Sequence, residues 1–221
     1  MKTEQYVMAY KAEQDRLRAL LPQEFESLRP VLRINAEIRY DEDNSKKIRE
    51  LYLEFNTPVA AYGKRGWLNI ANWRNSDTKI EVHKDGKCTT FITPFLEISY
   101  TGVGVTGGCP AENDNDGCFY IATEGLFDSA VKNDYGRYIF TPATNITPDA
   151  FGYREFCNCS FAWNFSVCDA IGESNVDKSI PAFYETQSKE YKKEALTPEN
   201  AAKIPCQQVL GSYSVIFNRQ I

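Results

Sequence analysis

The chain has one histidine, two methionines and three tryptophans in 221 residues, and it has no long apolar run. A single histidine, His83, leaves Ser-His-Asp and Cys-His chemistry with at most one candidate base, and no G-x-S-x-G elbow is present. The first apolar run, Tyr6 to Tyr10, is too short for a signal core. No stretch approaches the length of a membrane-crossing helix, so a cytoplasmic protein without membrane partners is expected. Basic clusters are also missing. No Lys/Arg run exceeds two residues and the net charge is -5, which excludes the clustered basic face that nucleic-acid binding needs.

The seven cysteines are odd in number and are read as reduced thiols. Cys157 and Cys159 form one tight pair, with Cys109, Cys118 and Cys168 elsewhere. Zinc sites usually show two such knuckles, so no metal and no cofactor are expected. Gly102-Val103-Gly104-Val105-Thr106-Gly107 has the look of a phosphate loop but lacks the lysine and the following helix. It reads better as a strand end entering the turn-rich segment 107–117.

Hydrophobic residues make up 43% and charged residues 25% of the chain, enough for a core and a solvated surface in one domain spanning 1–221. Most of the chain reads as strand, because β-branched and aromatic residues cluster between turn formers. The strands expected are 31–38, 49–55, 67–71, 79–83, 88–92, 95–105, 118–122, 137–140, 156–167 and 209–217. Asp85-Gly86 between Lys79–His83 and Cys88–Ile92 is a strong hairpin signal. Helices are few. Glu13 to Leu21 places Leu17, Leu20 and Leu21 on one face, Phe127 to Tyr135 is closed by Gly136, and Thr197-Pro198 opens another. The fold class expected is α+β: a strongly curved or closed antiparallel β-barrel with a few flanking helices.

Three segments in order carry a resemblance: Tyr10 to Pro22, Thr93-Pro94-Phe95-Leu96-Glu97-Ile98-Ser99-Tyr100, and Phe127 to Pro142 with its Gly136-Arg137 corner. They resemble the acetoacetate decarboxylase-like superfamily in an opening strand and helix ending in Leu-Pro, a glutamate-bearing strand, and a helix-corner-strand unit. The resemblance implies a pocket where a lysine amine forms an imine with a keto acid, kept neutral by an apolar site or a neighbouring cation. In the family, two adjacent lysines follow the proline after the Gly-Arg corner. Here Pro142 is followed by Ala143-Thr144-Asn145, and no lysine occurs from Asn133 to Asp177. The family's first-strand arginine matches Thr3.

The expected function is therefore binding of a small organic acid or similar metabolite in the barrel, without an imine-forming lysine. A keto-acid lyase using a displaced lysine, Lys64 or Lys132, and a protein-interaction barrel without ligand are the alternatives. Glu97, on an otherwise apolar strand, is the candidate acid or base if it points inward, while strand alternation would place it on a wet face. Arg137 is a candidate anion ligand, and Tyr100, Tyr120, Tyr138 and Trp163 are candidate cavity walls, each weighed against ordinary core packing. Assembly into a homo-oligomer is left open.

Overall fold

A computed structural model of the chain describes residues 1–44, 46–108, 119–123, 138–142, 153–164, 196 and 204–218. Its described strands are β1 (Lys2–Lys11), β2 (Glu26–Ser27), β3 (Val31–Tyr40), β4 (Ile48–Ala61), β5 (Lys64–Arg74), β6 (Glu81–Asp85), β7 (Cys88–Ile92), β8 (Leu96–Gly108), β9 (Phe119–Thr123), β10 (Tyr138–Pro142), β11 (Tyr153–Trp163) and β12 (Gln208–Asn218). The helix α1 (Gln14–Ala19) follows β1. The strands join in one sheet in the order β10-β9-β5-β4-β3-β1-β12-β11-β8-β7-β6, with β2 attached to β4.

Alternation decides the two faces. In β3, Leu32, Ile34, Ala36 and Ile38 enter the apolar core, and Arg33, Asn35, Glu37 and Arg39 take the other side. In β4, Leu51, Leu53 and Phe55 continue the core face, opposite to Glu50, Tyr52, Glu54 and Asn56. The 85–88 hairpin follows the sequence reading. Asp85 pairs with Cys88, and Gly86, the first of the two loop residues, has φ +56, the conformation a II′ turn assigns to glycine. Leu17, Leu20 and Leu21 are buried as the helical spacing predicts, although α1 itself ends at Ala19. The helices expected at 127–135 and from Thr197 lie outside the described residues.

Two parts of the expected architecture need correction. The sheet is open: β6 and β10 are its edges and do not pair with each other. It coils, so that strands far apart in its order meet through side chains rather than through backbone hydrogen bonds. Trp73 of β5 packs on Phe95 at 5.8 Å and on Trp163 of β11 at 6.4 Å, although these strands are far apart in sheet order. Tyr6 of β1 likewise meets Phe91 of β7 and Tyr100 of β8 at 5.5 and 5.3 Å. Apolar burial between these strands therefore supplies contact that closure would have made through a ladder of backbone hydrogen bonds. The sheet is also not wholly antiparallel, because β5 and β9 run parallel from Gly66↔Phe119 to Leu68↔Ile121.

A polar clasp joins the edge strand β6 to β1 and β3. Lys84 of β6 donates to Glu4 of β1, and to the Tyr40 hydroxyl at 3.2 Å; Tyr40 and Lys2 also donate to Glu4, at 3.0 and 3.1 Å. Burial would raise the Glu4 pKa, but the hydrogen bonds and charge of Lys84, with Lys2 and Tyr40, outweigh it and the net direction is down. Burial lowers that of Lys84, and its partners Glu4 and Tyr40 overcome this, pushing it up to about 12. The clasp thus contributes stability above the ordinary carboxylate pKa of 4.5. That contribution is lost as pH falls through the lowered Glu4 value, and on the alkaline side as pH rises through about 12. Lys84→Met is expected to lower the urea midpoint at pH 7 by an amount equivalent to about 1 kcal/mol or less, since the lysine is partly solvated. The gap from wild type should shrink in acid; a gap unchanged at pH 3 would show that the ion pair is not its source.

Candidate functional site

The buried polar face of β3, β4, β5 and β9 concentrates the chemistry. Register places Asn35 of β3 opposite Glu54 of β4, Asn72 of β5 on the other side of Glu54, and Tyr120 of β9 beside Trp67 of β5. A bulge between Phe55 and Asn56 leaves Ile70 as the extra residue in β5, so that Asn69 comes opposite Asn56. Polar side chains thus crowd around one glutamate by strand geometry alone.

Glu54 is 5% exposed and its carboxylate accepts four hydrogen bonds from neutral groups. Asn35 Nδ2 donates to Oε1 at 2.6 Å and Asn56 Nδ2 to the same oxygen at 3.1 Å. The Tyr52 and Tyr120 hydroxyls donate to Oε2 at 3.2 and 3.0 Å. Both tyrosines are held well above their ordinary pKa, first by burial and next by the charge of Glu54, so they remain donors. Among the described residues, no cationic side chain pairs with Glu54. Arg33, on the same face, is turned onto the Trp67 ring at 3.9 Å instead.

The amide orientations follow from this carboxylate. With both Nδ2 groups committed to Glu54, the Asn35 and Asn56 Oδ1 atoms remain, and neither has a hydrogen-bond partner. These residues are 6% and 0% exposed. A buried unsatisfied acceptor costs about 1–3 kcal/mol, so two such atoms beside one desolvated carboxylate are a strain that packing alone does not require. Thr3 Oγ1 on β1, opposite Arg39 on this face, is also buried without a partner.

A second cluster on the same face is fully paired. Arg39 donates through Nε to Glu37 Oε2 at 2.7 Å, with Nη2 also 2.7 Å from that oxygen, and through Nη1 to Glu50. Gln5 Nε2 donates to Glu37 Oε1 at 2.8 Å. The Arg39 guanidinium lies 4.0 Å from the Tyr52 ring, so the two clusters share that ring as a wall. Burial disfavours the Arg39 charge, but Glu37 and its neighbours more than compensate and raise its pKa. Its guanidinium is already engaged with two carboxylates.

The residues singled out in the sequence are dispersed by the fold. Of them, Tyr120 stands at the Glu54 cluster. Glu97 is exposed and does not point inward: Leu96, Ile98 and Tyr100 take the core face of β8, which leaves Glu97 and Ser99 on the other. Tyr100 and Trp163 pack in the core, and Trp163 Nε1 donates to the Tyr10 hydroxyl and Ile204 carbonyl, both at 3.2 Å. Tyr138 is buried edge-on against Phe25 at 4.7 Å. Arg137 and Lys132 lie outside the described residues. Lys64 is partly exposed beside the β4–β5 turn, with its ammonium 4.6 Å from the Phe119 ring; no lysine is buried among the described residues.

Cys157 and Cys159 share a face and pack on the core, and burial, followed by the neighbouring thiols, pushes Cys159 up to about 12. His83 is exposed on β6. Among the described residues, no group of three or more His, Cys, Asp or Glu is placed to hold a metal ion, and no helix is long and apolar enough to cross a membrane.

Glu54, Asn35, Asn56 and Tyr52 escape the sequence reading because a polar residue alternating with leucines looks like ordinary solvent exposure. The available signal was Leu51-Tyr52-Leu53-Glu54-Phe55-Asn56, a strand whose polar positions include both an aromatic ring and an amide. No protein-family model matches the sequence, and no curated protein matches it. Solved structures do match in fold. An acetoacetate decarboxylase from Legionella pneumophila aligns over 100% of this chain and 85% of its own at 11% identity, TM-score 0.53. A second acetoacetate decarboxylase structure aligns over 97% and 84%, at 10% identity and TM-score 0.53. The enduracididine biosynthesis enzyme MppR, complexed with a condensation product of pyruvate and imidazole 4-carboxaldehyde, aligns over 98% and 84%, at 10% identity and TM-score 0.51. These matches cover nearly the whole chain at low identity, and the protein has the acetoacetate decarboxylase-like fold.

Proposed function

We propose that this protein binds a small polar metabolite, an organic acid or a related compound, on the polar face around Glu54, without forming an imine. The observation that carries the reading is the pair of buried, unpartnered amide oxygens beside a desolvated carboxylate. A face built for packing alone would be apolar or internally satisfied, as the Arg39 cluster next to it is. The fold adds support, since the similar structures include enzymes of small keto compounds by their names. Fold similarity does not carry their chemistry over.

Imine formation needs an amine that is neutral at working pH, which requires burial or a neighbouring cation. The described lysines all contact solvent, and the Lys84 pKa is raised, opposite to what a nucleophile needs. Sodium borohydride treatment in the presence of acetoacetate or pyruvate, read by intact mass, is expected to leave the chain mass unchanged. A stable adduct on one lysine would overturn the non-covalent reading and favour a lyase with a displaced amine. Ligand-observed NMR with a panel of small acids and amines, on wild type and Asn56→Ala, tests binding itself: loss of a signal in the variant supports the site.

A further inference from the structure

From one uncommitted guanidinium and its surroundings, we infer that Arg154 binds an oxyanion, a carboxylate or phosphate carried on an apolar body, at a site separate from Glu54.

Strand register locates the site. Phe156 of β11 lies opposite Tyr213 of β12, Tyr213 opposite Val7 of β1, and Val7 opposite Asn35 of β3, so all four share the face that carries Glu54. Arg154, two residues before Phe156, is on that face as well. Four inter-strand steps separate it from β4 and Glu54, so the two places can be occupied independently.

The guanidinium is held in place but not paired. Its carbon is 5.1 Å from the centre of the Phe156 ring and 4.9 Å from that of Tyr213. Among the described residues, no hydrogen bond or ion pair engages it, and its Nε is out of water without a partner. Arg39 and Arg74 differ: Arg39 is committed to Glu37 and Glu50, and Arg74 lies 3.6 Å from Glu50. The carboxylate next in sequence does not serve Arg154, because Glu155 accepts from the Gly104 amide at 3.0 Å on the other side of the strand. An arginine that only covers apolar surface keeps its N–H groups in water. Here a donor is withdrawn from water while the side chain as a whole stays partly exposed and open to an incoming group.

The surroundings define the rest of the ligand. Gly107, opposite Arg154, leaves room for the Phe156 ring; a Cβ there would stand 2.9 and 3.1 Å from two ring carbons. The glycine-rich end of β8 thus seats the ring beside the guanidinium. Phe156 and Val105 are both exposed, which provides apolar surface next to the charge. A ligand cation would be repelled, and a neutral hydroxyl would leave the charge unmatched. An oxyanion brings two acceptors that match the planar fork and the missing negative charge together, and an apolar substituent covers Val105 and Phe156. The two rings restrict the guanidinium beforehand, so less freedom is lost on binding.

The test compares hexanoate, hexyl phosphate, acetate, inorganic phosphate, 1-hexanol and hexylamine at up to tens of millimolar with the full chain. Saturation-transfer NMR reads binding, and the Arg154 Nε–Hε resonance reports its place. Hexanoate and hexyl phosphate are expected to bind and shift that resonance, acetate and inorganic phosphate to bind roughly tenfold more weakly, and hexanol and hexylamine not to bind. In Arg154→Met, which keeps the apolar stem, hexanoate affinity should fall roughly tenfold or more, and Arg154→Lys, which keeps the charge without the fork, should show an intermediate loss. Arg65→Met removes an exposed arginine of β5 and should change nothing, and far-UV circular dichroism confirms the fold of each variant. Equal hexanoate affinity in wild type and Arg154→Met overturns the inference, as does hexylamine binding as well as hexanoate. Inorganic phosphate binding as tightly as hexyl phosphate overturns the ligand class stated here. Hexanoate binding lost in Asn56→Ala and kept in Arg154→Met also overturns it, and leaves the Glu54 proposal standing.

Discussion

Arg39→Met is expected to destabilise the protein by about 3–5 kcal/mol, the cost of leaving a buried carboxylate without its partner. Glu37 is 1% exposed, and both Nε and Nη2 of Arg39 sit 2.7 Å from one of its oxygens. Removing the guanidinium leaves that oxygen facing a methionine side chain, while Gln5 still donates to the other oxygen. Glu50 is more solvated and should suffer less. The companion variant Glu37→Leu combined with Arg39→Met is expected to recover most of the loss, because a pair replaced by apolar groups leaves no unpaired charge behind. Urea midpoints of the wild type, both single variants and the double variant measure the coupling. Additive losses in the double variant would show that the two side chains act independently and that the cluster is not a unit. The consequence reaches the candidate site, because Arg39 stacks on Tyr52, whose hydroxyl holds Glu54.

Gly66→Ala is the second substitution with a large expected effect, and its origin is steric. A Cβ at this position would stand 2.3 Å from the Phe119 carbonyl oxygen and 2.9 Å from the carbonyl carbon, both backbone atoms of the parallel neighbour. Neither can rotate away, so β9 must shift outward at the start of its pairing with β5. Overpacking of this kind costs about 1–3 kcal/mol, and the Gly66↔Phe119 end of the pairing should loosen first. Tyr120, next in β9, would then lose its fixed approach to Glu54. Hydrogen exchange over 119–123 should rise in the variant, along with a lower melting midpoint. Gly102→Ala provides a contrast, since its nearest atoms belong to the flexible Glu155 carboxyl group and can yield. Equal losses for the two glycines would refute the backbone-contact explanation.

Much of the strand map was legible. The stretches 31–38, 49–55 and 88–92 were recognised from β-branched and aromatic residues between turn formers, and they lie within β3, β4 and β7. The hairpin at Gly86 follows from a local rule, positive φ at a two-residue loop. Strand ends were less legible. β4 runs on through Pro58 to Ala61, a strand extension that composition discourages and that pairing with β5 sustains. Closure of the sheet was misjudged, because it depends on whether the last strands pair, a contact between residues distant in the chain. Glu97 was misjudged for a related reason: two faces alternate on every strand, and local sequence does not name the one that meets the core.

Composition and local pattern were enough to establish a strand-rich chain, its principal turns, the helix before Pro22 and the absence of a lysine from Asn133 to Asp177. These rest on interactions between neighbours in the chain, which sequence spells out directly. Burial of Asn35, Glu37, Glu54 and Asn56 was decided only in the assembled tertiary structure. Exposure is a property of the assembled molecule, so an alternating glutamate reads the same whether it meets solvent or the interior.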